Sequence, residues 1–172
     1  MFSRLLPFTA AATVFLLDRV TKWSVRTHLS PWETIRVIPG YLNIVHAENA
    51  GVAFGLFSES TSPWRSVLLV GLSLMVMVFV VTLLWKPSHS SLALRIGLAF
   101  VLGGAIGNLY DRVVHGTVTD FVEVYEGTHY FPAFNVADSA ISVGAALLLL
   151  DMWRNKERTR EIADAQHRAS GG

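Results

Sequence analysis

The 172-residue chain contains no cysteine, which excludes disulfides, thiolate nucleophiles and thiolate metal sites. Charge is scarce as well. Asp, Glu, Lys and Arg make up 16% of the residues, below the roughly 25% of an ordinary soluble domain. The 14 basic and 13 acidic side chains leave a net charge of +1, so total charge does not argue for a nucleic-acid partner. His28, His46, His89, His115, His129 and His167 show no HExxH or other metal-ligand spacing, and no Gly-rich loop of the phosphate-cradling kind is present. No metal and no cofactor are therefore expected. Internal repeats and low-complexity tracts are also lacking.

What the chain has instead is apolar length. It is 52% hydrophobic, with a mean hydropathy of +0.44, and the excess lies in blocks. Residues 66–85, SVLLVGLSLMVMVFVVTLLW, carry no charge over 20 positions. At about 1.5 Å per residue such a run crosses a hydrocarbon core of about 30 Å. LALRIGLAFVLGGAIGNLY is apolar apart from Arg95, which can snorkel to an interface. FNVADSAISVGAALLLLDMW is interrupted by Asp138, and LLPFTAAATVFLLDRVTKWSV carries Asp18, Arg19 and Lys22 in its later turns. The first block also has the outline of a secretory signal, but its alanines lie inside the apolar run, not after it.

The expected architecture is an all-α integral membrane protein of four transmembrane helices, at about 5–26, 65–86, 92–112 and 134–154. Outer loops occupy 27–64 and 113–133. Residues 1–158 form one membrane-embedded domain, and 159–172 a polar tail. Lys86, Arg95, Arg4 and the tail's Arg154, Lys156, Arg158, Arg160 and Arg168 put both termini in the cytoplasm. Trp23, Trp32 and Trp64 then fall near the outer interface, and Trp85 and Trp153 near the inner one. Within the first outer loop, Pro39-Gly40 separates β-rich runs, which predicts a hairpin or small sheet on the membrane surface. The NAGVAFG stretch that follows is small enough for its backbone to approach a ligand closely.

Polar groups within apolar spans need individual reasons. Asp18 and Lys22 share a helix face at i, i+4, the spacing of a salt bridge. A catalytic Ser/Lys pair would also use such a lysine, but no serine stands out as its nucleophile. Asn108, Asp111 and Arg112 share a face at i, i+3, i+4. They form either an interfacial cluster in which Asp111 and Arg112 are neutralised locally or a polar wall lining a site. Asp138 has a structural explanation, with Asn135 as N-cap and Asp138 at N3 in a variant capping box. Yet Asp120, in the preceding loop, lies at the same membrane face, and the intervening residues can double back. Two carboxylates meeting at a partly desolvated place cannot both ionise easily, so the pair shares a proton. That state suits an aspartic peptidase: one carboxylate takes a proton from water while the other carboxyl polarises the scissile carbonyl.

Taken together, DRVTK, NAGVAFG, GNLYDRVVHGTVTDF and FNVADSAISVG resemble the motifs of lipoprotein signal peptidases (signal peptidase II, aspartic peptidase family A8), in the family's order and across the chain from first span to last. The resemblance implies an enzyme of the bacterial inner membrane, with its active site near the periplasmic face. It cleaves the signal peptide from diacylglyceryl-modified prolipoproteins, on the N-terminal side of the lipidated cysteine. Asp120 and Asp138 match the two catalytic aspartates. Asn49 and Gly51 match the outer-loop motif of the substrate cleft, Asn108, Asp111 and Arg112 the polar cluster beside the dyad, and Asn135 the asparagine before the second aspartate. Asp18 and Lys22 match a family pair read as structural. Implied partners are the membrane-embedded prolipoprotein, the bilayer and a cyclic peptide inhibitor of the globomycin type, with the chain acting as a monomer. Tyr110 stands where an aliphatic residue is common. The rival from another class is a small proton-coupled transporter with Asp18, Asp120 and Asp138 as its relay. It calls for a charge at the midplane and for inverted repeats.

Overall fold

A computed structural model describes residues 2–31, 33–51, 64–85 and 91–170. Trp32, Lys86, His89 and positions 52–55 of the NAGVAFG stretch lie outside them. In chain order the elements are α1 (Phe2–His28), β1 (Thr34–Ile38), β2 (Leu42–Asn49), α2 (Trp64–Trp85), α3 (Leu92–Val114), β3 (Val118–Glu126), β4 (His129–Tyr130) and α4 (Val136–Ser170). Among the described residues three helices are long and apolar enough to cross a membrane: Ser66–Trp85, Leu92–Val114 and Val136–Arg158. The helix of the fourth expected span, α1, has the length at 27 residues, but Asp18, Arg19 and Lys22 interrupt its apolar run. The residues 159–170 expected as a tail continue α4 as helix to Ser170.

α3 is the hub and packs against α1, α2 and α4. Its glycines make the close approach possible. A Cβ on Gly103 would lie 2.5 Å from the Ala11 carbonyl oxygen of α1, and one on Gly104 the same distance from the Ala137 carbonyl oxygen of α4. At Gly107 a Cβ would sit 2.6 Å from Asp18 Oδ2. Small residues let helix backbones meet where apolar lipid supplies no hydrophobic drive for association. Val67, Met75, Val78 and Phe79 on α2 are exposed, as a lipid-covered face would be.

The hairpin expected around Pro39-Gly40 is formed by β1 and β2, with Gly40 at φ 85° and Tyr41 N donating to Ile38 O at 3.0 Å. The sheet is larger than that hairpin. All four strands pair antiparallel in the order β1-β2-β3-β4, and β3 comes from the segment read as a loop. Asp120 is therefore a strand residue, paired with Ala47 beyond a register shift in β2. Its strand is set by pairing with a segment some 70 residues earlier, a partner that local pattern does not reveal. The last helix starts where the capping reading expects. Phe134 bridges to Val122, Asn135 is the cap, and helix begins at Val136.

Candidate active site

The start of α4 is closed by the reciprocal bonds of a capping box. Asn135 Oδ1 accepts from Asp138 N at 2.9 Å, and Asp138 Oδ2 accepts from Asn135 N at 3.3 Å. A third group joins from α1, where Asp18 Oδ1 accepts from Ala137 N at 3.0 Å. Unpaired N–H groups of a helix start thus find three oxygens, which a buried helix end requires.

The cap also binds the other aspartate. Asn135 Nδ2 donates to Asp120 Oδ1 at 2.6 Å, and Asn49 Nδ2 donates to Asp120 Oδ2 at 2.9 Å. Asn108 Nδ2 donates to Asp138 Oδ1 at 2.8 Å. Each carboxylate is held by two donors, and the one Asn135 side chain contacts both aspartates. Asn49 Oδ1 accepts from Gly51 N at 2.8 Å, and Gly51 O accepts from Arg112 Nη2 at 3.4 Å. Arg112 Nη1 reaches Asn108 O at 3.2 Å. Asn49, Gly51, Asn108, Arg112, Asp120, Asn135 and Asp138 are therefore one connected cluster where β2, β3, α3 and α4 meet.

Asp111 joins it only through Lys22, whose Nζ lies 2.9 Å from both Asn108 Oδ1 and Asp111 Oδ2. Its side chain turns to α1, so the local neutralisation expected for it is present, supplied by α1 and not by Arg112. There it meets Arg19 Nη1 at 2.6 Å, Lys22 Nζ at 2.9 Å and Arg26 Nη1 at 3.5 Å. Asp111 and Arg112 are adjacent on α3 and so differ by about 100° in direction, enough to place one on α1 and its neighbour on the site. The Asp18–Lys22 salt bridge is present at 3.0 Å, and Arg19 joins Asp18 at 2.9 Å. The two buried anions, Asp18 and Asp111, are thereby matched by Arg19 and Lys22, with Arg26 adding a longer contact to Asp111. Arg19 was legible only as a charge in the span. Its guanidinium also lies 4.7 Å from the Tyr110 ring centroid, a cation–π contact that an aliphatic residue at 110 would not make. Glu48 is a further polar group the sequence did not single out. Burial pulls its carboxyl upward, but hydrogen bonds from Thr117, His46 and Thr119 outweigh that and hold it below the usual range. It ties β2 to β3, and through Arg26 to α1 at 3.6 Å. Among the described residues no set of three His, Asp or Glu side chains gathers as a metal site.

Burial raises the Asp120 carboxyl from 3.8 to about 6, against the Asn49 hydrogen bond and with the charge of Asp138 adding to the rise. A folded-state value above the unfolded one means that folding takes up a proton. The resulting stabilisation is complete below 3.8 and is lost as pH rises through about 6. Its upper size is about 3 kcal/mol. The melting temperature in detergent should accordingly fall between about pH 4 and pH 7, and Asp120→Asn should flatten that part of the curve. An equal slope in both proteins would show that Asp120 does not take up the proton.

Residues 10–154 match the family model described as signal peptidase (SPase) II. The chain is 46% identical over 156 residues to a lipoprotein signal peptidase of Solibacter usitatus, covering 91% of this chain and 95% of that one. It is 43% identical over 157 residues to a lipoprotein signal peptidase of Pseudomonas aeruginosa PAO1, covering 91% and 92%. A bacterial membrane enzyme solved at 2.3 Å resolution superposes with a TM-score of 0.79 at 26% identity, over 89% of this chain and 90% of the other.

Proposed function

The chain belongs to the signal peptidase II family of aspartic peptidases, and from that premise we propose that it cleaves diacylglyceryl-modified prolipoproteins on the N-terminal side of the lipidated cysteine, with Asp120 and Asp138 as its catalytic pair. The observation that carries this reading is the Asn135 side chain, which donates to the Asp120 carboxylate while accepting from the backbone of Asp138. A structural cap needs only the second of these contacts. The first turns the cap into a bracket for two carboxylates.

In the proposed reaction Asp138, in the first turn of α4 where the helix dipole favours an anion, is the ionised partner, and Asp120 holds the shared proton. Water gives a proton to Asp138 as its oxygen bonds to the scissile carbonyl carbon, and the Asp120 proton passes to the carbonyl oxygen. Collapse of the tetrahedral intermediate returns the Asp138 proton to the leaving nitrogen and a hydroxyl proton to Asp120. Asn49, Asn108 and Asn135 keep the carboxylate oxygens oriented, and Gly51 and Arg112 border the cleft. Asp18, Lys22 and Asp111 form the buried ion cluster that holds α1 to α3 and to the start of α4.

The setting proposed for this chemistry is the bacterial inner membrane, crossed by α1 to α4 with both termini cytoplasmic and the sheet on the periplasmic surface. Paired charges in α1 are compatible with a span, since each is neutralised inside the protein and not by lipid. Exposed Trp23 and Trp64 suit the outer interface, and Trp85 and Trp153 the inner one. Residues 1–158 form the peptidase domain, and the chain acts as a monomer. A site at the outer end of the bundle meets a membrane-embedded precursor at its cleavage point. A globomycin-type cyclic peptide would compete for that cleft.

The test is cleavage by the purified protein in detergent, read as a gel shift. The diacylglyceryl-modified precursor should be cut, and the same precursor without the lipid should be cut at least about tenfold more slowly, a difference of about 1.4 kcal/mol in transition-state binding. No cleavage of the modified precursor would overturn the function, and equal rates would overturn recognition of the lipid.

A further inference from the structure

We propose that Lys22 is a positioning residue of the peptidase, whose buried ammonium holds the Asn108 side chain in the one orientation that donates to Asp138. This inference rests on the two-aspartate mechanism proposed above and gives Lys22 a part in it beyond its salt bridges.

The Lys22 side chain is 1% exposed. Its ammonium has three donors and no acceptor, and three oxygens surround it. Asp18 Oδ2 lies at 3.0 Å, Asp111 Oδ2 at 2.9 Å and Asn108 Oδ1 at 2.9 Å. The first two contacts serve the ion cluster, in which Arg19 already reaches both aspartates. The third goes to a neutral amide, and neutralising the cluster does not require it.

A side-chain amide is a donor at one end and an acceptor at the other. Lys22 accepts nothing, so only the oxygen of Asn108 can face it. The nitrogen is then directed at Asp138, where Nδ2 lies 2.8 Å from Oδ1. The same oxygen is approached by Asn135 Nδ2 at 3.5 Å, the group that also bonds Asp120. Without the ammonium, Asn108 is free to turn its oxygen toward Asp138, which then has to carry a proton to make the bond. A protonated Asp138 cannot take one from water. Lys22 thus acts on the base through one intervening amide, across a path of two hydrogen bonds.

A double-mutant cycle on the purified full-length protein tests this, with kcat and KM measured on the diacylglyceryl-modified precursor. Lys22→Met is combined with Asp111→Asn so that the buried cluster stays neutral, and Asp111→Asn alone serves as its reference. Loss of the ammonium should lower kcat at least about tenfold with KM changed less than about twofold. Asn108→Leu should cause a similar loss, and adding the Lys22 change to it should cost nothing further. A merely structural Lys22 would instead give losses that multiply. Multiplying losses, or wild-type kcat in folded Lys22→Met/Asp111→Asn, would overturn the proposal. Where the Lys22 variant does not fold, Asn108→Leu decides alone, and wild-type kcat in it overturns the proposal. The dyad is tested separately: cleavage by Asp138→Asn would remove the mechanism itself. An inactive Asp138→Asn beside a wild-type-like Lys22 variant would remove only the positioning role.

Discussion

Asp120→Asn and Asp138→Asn are each expected to lower cleavage of a lipid-modified precursor by about 100- to 10,000-fold, the range set by loss of a general acid or base. An amide keeps the shape of the carboxyl but cannot accept a proton from water or give one to a carbonyl. Each variant should still fold. Asp120 keeps one oxygen to accept from Asn135 or Asn49, and in Asp138→Asn the Asn135 cap retains its bond from the 138 backbone. The measurements are kcat on the modified precursor and the melting temperature of the same preparation. Full activity in either folded variant would exclude the dyad, whereas an unfolded variant would make that aspartate a structural residue. The double variant should be no slower than the worse single one, since two groups that share a proton act as one unit.

Gly104→Ala should produce the next largest effect, at a position that touches no substrate. The added Cβ would lie 2.5 Å from the Ala137 carbonyl oxygen and 2.8 Å from Ile141 Cγ1. The Ala137 carbonyl is helix backbone and cannot swing aside as a side chain can, so α3 and α4 must separate. Ala137 adjoins Asp138, and a shift there lengthens the 2.8 Å bond from Asn108 to Asp138. Overpacking of this kind costs about 1–3 kcal/mol, and a displacement of about 1 Å at a reacting group costs about 100-fold in rate. The expected result is a lowered melting temperature together with a loss of kcat. Gly71→Ala is the control, because a Cβ there meets nothing within 4 Å. If Gly104→Ala melts and cleaves as Gly71→Ala does, the close approach of α3 to α4 does not set the geometry of Asp138.

Legibility in the sequence followed the range of the interaction. The Asn135–Asp138 cap spans three residues and the Asp18–Lys22 pair spans four, so helical spacing alone announced both, and both are present. The glycines of GGAIG lie on one helix, and Gly103 and Gly104 make close contacts with α1 and α4. The pairing of Arg19 with Asp111 joins residues 92 apart. Nothing local marks it, since the rotation of α3 about its own axis decides which of Asp111 and Arg112 faces α1. A nearly continuous apolar helix does not specify that rotation, because its hydrophobic face has no sharp boundary. The strand around Asp120 was missed for a related reason. TVTDFVEVY alternates well enough to form a strand, but a strand exists only against a partner, and that partner is β2, with Glu48 opposite Thr119.

By itself, then, the sequence determined the three helices that are apolar and long enough to cross a membrane, where the last helix begins, which short motifs the chain carries and hence its family. These follow from hydropathy and from spacings within one or two helical turns, which survive without knowledge of the fold. The tertiary structure decided which partner each charge meets. It turned Asp111 toward α1 and away from Arg112, placed Asp120 on a strand, and gave Lys22 an amide as its third partner. Those outcomes depend on helix rotation and strand register. Both are settled only when glycine-lined helices close on one another and every buried polar group has to find a partner.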